Sequence, residues 1–77
     1  MKIGLFGTGA YGMALSSVLR ENDCEVEMWT KFSEEKENLE ITRKNDTLLP
    51  GFTLDDKVKI TNSISECIDG KDLLIIA

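Results

Sequence analysis

Histidine is missing from this chain altogether. Its absence removes the side chain that titrates most readily near neutral pH, and with it the commonest general acid or base. No isolated carboxylate pair takes its place, so no catalytic residue is assigned. Cysteine is scarce, with only Cys24 and Cys67. Two cysteines without a secretory signal do not make a disulfide framework, and both read as free, buried thiols. Long apolar runs are also lacking. No stretch reaches the length of a membrane span. The start, Met1-Lys2 and five apolar or glycine residues, is too short for the core of a secretory signal. A cytoplasmic protein is the expectation, with no membrane partner. Basic residues are outnumbered, 9 against 14 acidic, for a net charge of −5. That balance argues against nucleic acid as a partner. It leaves room for a small anionic ligand, which answers to the local field. No metal site is expected, and no repeat or low-complexity segment is present.

What is there is small but ordered in its pattern. The 77 residues allow one domain at most. A chain of this size buries only about 60% of its unfolded surface. It stops at DLLIIA, inside a strand-like apolar run, and reads as the front piece of a longer protein. Such a piece leaves the outer edge of its last strand bare and open to pairing with another chain.

Residues Lys2 to Phe6 form a nearly continuous apolar run with Gly4 inside it, which suits a strand covered on both faces. A helical pattern follows from Tyr11 to about Glu21, with Ala14, Leu15, Val18 and Leu19 on one stripe. Asn22-Asp23 is its expected end. Glu25 to Trp29 is a second strand, alternating apolar and acidic. Ser33 is the expected N-cap of a mostly polar helix reaching about Lys44, with Leu39 and Ile41 as its apolar contacts. Asn45 to Asp56 contains Pro50-Gly51 and reads as a loop. Val58 to Thr61 is a short, lysine-flanked strand. Ser63 to Glu66 has the spacing of a capping box, and Ile64, Cys67 and Ile68 share a face of the short helix that follows. Asp72 to Ala77 is a fourth, apolar strand. The alternation predicts an α/β fold with a parallel sheet and right-handed crossovers. Apolar first and fourth strands belong at the centre, and the short third strand belongs at an edge. Order 3-2-1-4 fits, the first half of a Rossmann-type doubly wound fold.

The stretch GTGAYG, with Gly7, Gly9 and Gly12, falls between the first strand and the first helix. In that context the three glycines have separate tasks. Gly7 permits a sharp turn, Gly9 lets a pyrophosphate approach the main chain, and Gly12 allows close packing of helix on strand. The free N–H groups at the helix start face the phosphates. A dinucleotide is therefore the expected ligand, against a bare strand-to-helix turn.

An NAD-preferring site usually carries an acid at the end of the second strand, about 20 residues on. Here the chain reads Met28-Trp29-Thr30-Lys31, with Glu34 and Glu35 further along. Lys31 suits a 2′-phosphate and Thr30 can donate to it, so NADPH is favoured, with NAD also open. Lys31 also reads as a solvated lysine. Phe32 either flanks the adenine or joins the core. Trp29 reads mainly as core.

At this level of detail the segments MKIGLFGTGAYGMAL, EVEMWTK, NDTLLPG, KVKIT and DLLIIA resemble the N-terminus of bacterial NAD(P)-dependent glycerol-3-phosphate dehydrogenase. Trp29 closing the second strand and the Leu49-Pro50-Gly51 loop are the more specific features. The resemblance spans essentially the whole chain but only the opening of the family's protein. It implies hydride transfer between NAD(P)H and dihydroxyacetone phosphate, giving glycerol 3-phosphate for phospholipid synthesis. It implies cofactor contacts at Ala10 and Tyr11, where the family usually has serine and an aromatic residue. Ala10 departs by losing the hydroxyl. It implies contacts at Lys31 and Phe32, where arginine or histidine is frequent, and near Leu48, where a tyrosine is common. Leu48 lacks that hydroxyl and reads equally as packing. The substrate, a small phosphorylated molecule, and the catalytic lysines fall beyond residue 77. Lys2, Lys36, Lys44, Lys57, Lys59 and Lys71 read as solvated surface lysines. The isolated 77 residues are expected to be inactive, and a homodimer of the whole protein is compatible. Two alternatives remain: another dehydrogenase of the same opening topology, and a non-catalytic NAD(P)H-sensing module.

Overall fold

The computed structural model describes all of residues 1–77. Four strands alternate with three helices: β1 (Lys2–Phe6), α1 (Ala10–Glu21), β2 (Glu25–Trp29), α2 (Ser33–Thr42), β3 (Lys59–Thr61), α3 (Ile64–Ile68) and β4 (Leu73–Ile76). The sheet is parallel throughout, in the order β3-β2-β1-β4. The strand order meets the sequence expectation, but β4, expected at the centre from its apolar run, does not lie there. Among these residues β4 is an edge strand, and its Ile76 is 88% exposed.

Strand register divides the sheet into two faces. Ile3 pairs with Val26, and Leu5 with Met28 and Ile75. This face packs on α1 and α2 through a cluster of Leu5, Met13, Val26, Met28, Leu39 and Ile60. Leu54 and Val58, from the loop before β3, close the cluster. The other face carries Gly4, Phe6, Glu27 and Trp29. Phe6 and Trp29 pack ring on ring, with centroids 5.8 Å apart. Trp29 is thus half-buried and not a full core residue. A Cβ at Gly4 would overlap the carbonyl oxygen of Cys67, so this glycine is what lets α3 lie directly on β1.

Several helix expectations shift. In α1 the buried positions are Gly12, Met13 and Ser16, while Ala14 and Val18 face outward. Asp23 takes the left-handed conformation after the helix, as its position predicts. Ser33 is the first helical residue of α2, not its cap. Phe32 holds the N-cap position without a side-chain bond. The helix ends at Thr42 because Arg43 turns left-handed, and Arg43 then donates to the Val58 carbonyl at 2.6 Å. Leu39 is buried, but Ile41 is 81% exposed. In α3 the Ser63 hydroxyl accepts the Glu66 N–H at 3.2 Å, as the capping box predicts. The Glu66 carboxylate departs from that pattern and accepts from the Thr61 hydroxyl at 2.7 Å.

Lys71 is not a solvated lysine. Its ammonium lies 2.9 Å from the Glu27 carboxylate, with both side chains largely buried. It also donates to the Glu66 and Asp69 carbonyls. A cation at the end of α3 thus satisfies carbonyls that the helix leaves free.

Both cysteines are free, with Cys67 buried and Cys24 partly so. Burial pushes the Cys67 thiol up from its ordinary range, and the Glu27 carboxylate adds to the effect. A raised thiol value favours the fold below the unfolded thiol's pKa. That contribution is lost as pH rises toward the folded value. A thiol reagent at neutral pH is therefore expected to modify Cys24 first. Cys67 should react only at the rate of unfolding, and stability should fall above about pH 8.5. Equal labelling rates for the two thiols in the folded protein would contradict this.

Candidate functional site

The C-terminal ends of the strands meet at the glycine turn. Gly7 follows β1 with φ +142, and a Cβ on it would come 2.8 Å from the Ala77 carbonyl oxygen. Both conformation and space demand glycine there. Its N–H donates to the Trp29 carbonyl at 3.2 Å, which ties the turn to the end of β2. Gly12 lies in the first turn of α1. A Cβ on it would sit 2.6 Å from the Gly7 carbonyl oxygen, so the helix approaches the turn as closely as a backbone can.

Gly9 differs from both. It is the N-cap of α1, with φ −72 and ψ −177, a conformation open to any residue. A Cβ on it would meet nothing within 4 Å. Neither strain nor packing explains a glycine here. The space in front of it is open, and it supplies no side-chain oxygen to the helix start. The first N–H groups of a helix lack intrahelical partners and carry its positive end. Ala10 and Tyr11 stand at that end, and Tyr11 is 71% exposed beside it. The arrangement is a cradle for an anionic group.

The second segment lies beyond β2. Lys31, Phe32, Ser33, Glu34 and Glu35 line a concavity of about 640 Å³. Phe32 is mainly exposed, so it is not a core residue. Thr30 is buried and organises the turn. Its hydroxyl accepts the Phe32 N–H at 3.3 Å and donates to Glu35 Oε1 at 3.2 Å. Asn62, after β3, braces this turn from the side. Its Nδ2 donates to the Thr30 carbonyl at 2.9 Å, and its own carbonyl accepts from Trp29 Nε1 at 3.0 Å.

The fold therefore brings Gly7, Gly9, Ala10, Tyr11 and Gly12 to the strand ends and places Lys31 and Phe32 just past β2. Leu48 stands apart, half-exposed on the turn that begins at Asn45, and its N–H donates to the Asn45 carbonyl at 3.2 Å. Sequence reasoning missed Thr30's bond to Glu35 and the brace at Asn62. An asparagine directly after a strand, next to a helix cap, was the only signal for the brace.

A larger concavity, about 700 Å³, opens at the opposite end of the sheet and includes Lys2, Arg20, Arg43 and Lys71. Its cations are mostly engaged within the fold: Arg20 with Asp55, Lys71 with Glu27, and Arg43 with backbone carbonyls. The hydrogen bond from the Lys57 N–H, more than Arg20 itself, holds the Asp55 carboxyl below its usual range.

The chain is similar to proteins described as glycerol-3-phosphate dehydrogenases. A glycerol-3-phosphate dehydrogenase [NAD(P)+] of Fusobacterium nucleatum is 36% identical over 77 residues, all of this chain and 23% of that protein. One from Lactobacillus delbrueckii is 37% identical over 76 residues, 99% of this chain and 22% of that protein. The chain thus spans less than a quarter of the length of these relatives. The crystal structure of a glycerol-3-phosphate dehydrogenase from Coxiella burnetii superposes with a TM-score of 0.86. It is 23% identical, and the match covers 97% of this chain and 23% of that one. That likeness establishes the fold. Residues 2–77 match the family described as NAD-dependent glycerol-3-phosphate dehydrogenase N-terminus, and with the match running through the glycine turn and all four strands, the chain belongs to that family.

Proposed function

We propose that the chain is the N-terminal, dinucleotide-binding part of a glycerol-3-phosphate dehydrogenase. The whole enzyme would interconvert dihydroxyacetone phosphate and glycerol 3-phosphate with NADPH or NADH. The observation that carries the reading is Gly9, a glycine that the fold itself does not require. Its open front fits a pyrophosphate, for which any side chain is an obstacle. Family membership supports the choice of substrate.

In this reading the chain binds and orients, and it does not carry the proton. The first-turn N–H groups at Ala10, Tyr11 and Gly12 receive the pyrophosphate, with Gly7 shaping the turn. Tyr11 walls the cleft and Phe32 flanks the adenine, while Leu48, apart on its loop, would reach the cofactor only from outside this group. Lys31 offers its charge to a 2′-phosphate. The nicotinamide ring supplies the hydride chemistry when bound. The working enzyme is placed in the cytoplasm, with its product feeding glycerophospholipid synthesis. No nucleic acid or membrane partner enters this reading, a homodimer is compatible with it, and no helix is long and apolar enough to cross a membrane.

The test follows NADPH and NADH oxidation by the full-length polypeptide with dihydroxyacetone phosphate, and repeats it with Lys31→Ala. Turnover that weakens selectively with NADPH in the variant is the expected result. Binding without turnover of either cofactor would move the assignment to another substrate or to a sensing role. The 77 residues alone should show no turnover.

A further inference from the structure

The end of β2 has no acid in its sequence, although an acid there commonly reads the adenosine ribose. The fold brings one from elsewhere. Glu35 belongs to the first turn of α2 and is half-buried. Its carboxylate accepts the hydroxyl of Thr30, the residue directly after β2. Thr30 is itself immobilised. Its N–H donates to the Thr61 carbonyl at 3.0 Å, and its carbonyl accepts from Asn62. The carboxylate is therefore tethered to the sheet. It lines the same concavity as Lys31, and the two charges are not paired with each other.

We propose that Glu35 is a specificity-determining residue for the adenosine end of the cofactor. Held by Thr30 at the end of β2, its carboxylate accepts a hydrogen bond from a free ribose hydroxyl and repels a 2′-phosphate. The inference rests on the dinucleotide reading above. Lys31 acts with the opposite sign on the same group. With both charges present, each dinucleotide meets one favourable and one unfavourable neighbour, so the wild-type protein discriminates weakly. Thr30 is a positioning residue. Without its hydroxyl the carboxylate is released to solvent, where its effect on the ligand is screened.

The test measures dissociation constants for NADH and NADPH in the full-length polypeptide by titrating nicotinamide fluorescence. It compares wild type, Glu35→Gln, Thr30→Val, Thr30→Ser and the Glu35→Gln/Thr30→Val double variant, with thermal melts to confirm folding. Glu35→Gln is expected to shift the affinity ratio toward NADPH by about tenfold, the scale of one charge removed near another at a protein surface. Thr30→Val should shift it in the same direction by less, Thr30→Ser should keep the wild-type ratio, and the double variant should match Glu35→Gln. An unchanged ratio in Glu35→Gln, in a protein that binds both dinucleotides, overturns the proposal. A Thr30→Val shift that adds fully to that of Glu35→Gln overturns the positioning role. If wild type binds neither dinucleotide, the cofactor reading itself fails, and this inference falls with it.

Discussion

Replacing Gly9 with valine is expected to abolish dinucleotide binding while leaving the fold in place. The backbone at Gly9 has an ordinary extended conformation, and nothing stands within 4 Å of where a Cβ would go. The folded chain therefore has room for the new side chain. Valine is a poor N-cap, so α1 should lose no more than about 1 kcal/mol. The ligand has no such freedom. A pyrophosphate must reach the first-turn N–H groups of α1, and a branched side chain occupies that approach. Affinity for NADH and NADPH should fall more than about 100-fold, or roughly 2.7 kcal/mol. Calorimetric titration of the full-length protein reads the binding, and a thermal melt reads the fold. Wild-type affinity in a folded Gly9→Val protein would remove the pyrophosphate from this turn. Gly12→Ala serves as the contrast. Its Cβ would lie 2.6 Å from the Gly7 carbonyl oxygen, so it should cost stability as well as binding.

Replacing Gly4 with alanine should do the reverse, damaging the fold at a position that faces α3 rather than the glycine turn. The added Cβ overlaps the Cys67 carbonyl oxygen and would come 2.9 Å from Leu74 Cδ2. A flexible side chain can yield, but a backbone carbonyl at the end of a short helix cannot yield without moving the helix. Displacing α3 also disturbs Lys71, whose ammonium bridges the α3 carbonyls to Glu27. Overpacking of this kind costs about 3 kcal/mol or more, a large part of the stability of so small a fold. Urea unfolding measures it directly. A midpoint within experimental scatter of wild type would mean that α3 is not seated on β1 as described.

These two glycines also mark what can be read from residues alone. The strand order was legible because the continuous apolar run of β1 and the short, lysine-flanked β3 carry their positions in composition, whereas the apolar run of β4 pointed to the centre and the strand lies at the edge. Gly7 and Gly12 were legible for the same reason: their tasks belong to a local turn. The face of α1 was not legible. An apolar stripe through Ala14 and Val18 is a fair guess, but contact between Gly12 and the Gly7 carbonyl sets the helix rotation and turns Met13 and Ser16 inward. Lys71 looked solvated because its partner, Glu27, is 44 residues away. Only the crossover of α3 brings them together. In the sequence Glu35 is only an acid further along than the end of β2. The turn between β2 and α2 brings that carboxylate back to the hydroxyl of Thr30, five residues earlier. Of these misses only Lys71 turns on a long-range contact; the other two turn on contacts five residues apart, whose geometry the residue types do not record.

The central place of β1 has a consequence for how the chain assembles. The start of β1 is tied to the residue before β4 by a bond from the Lys2 N–H to the Asp72 carboxylate, 70 residues later. All three strand pairings are parallel, so none forms through a local hairpin. Every one requires a long loop to close first, which places the fold toward the slow end for its size. β1, synthesised before the other three strands of this sheet, is thus among the last to be completed, and until β4 arrives it presents an open apolar edge to other chains.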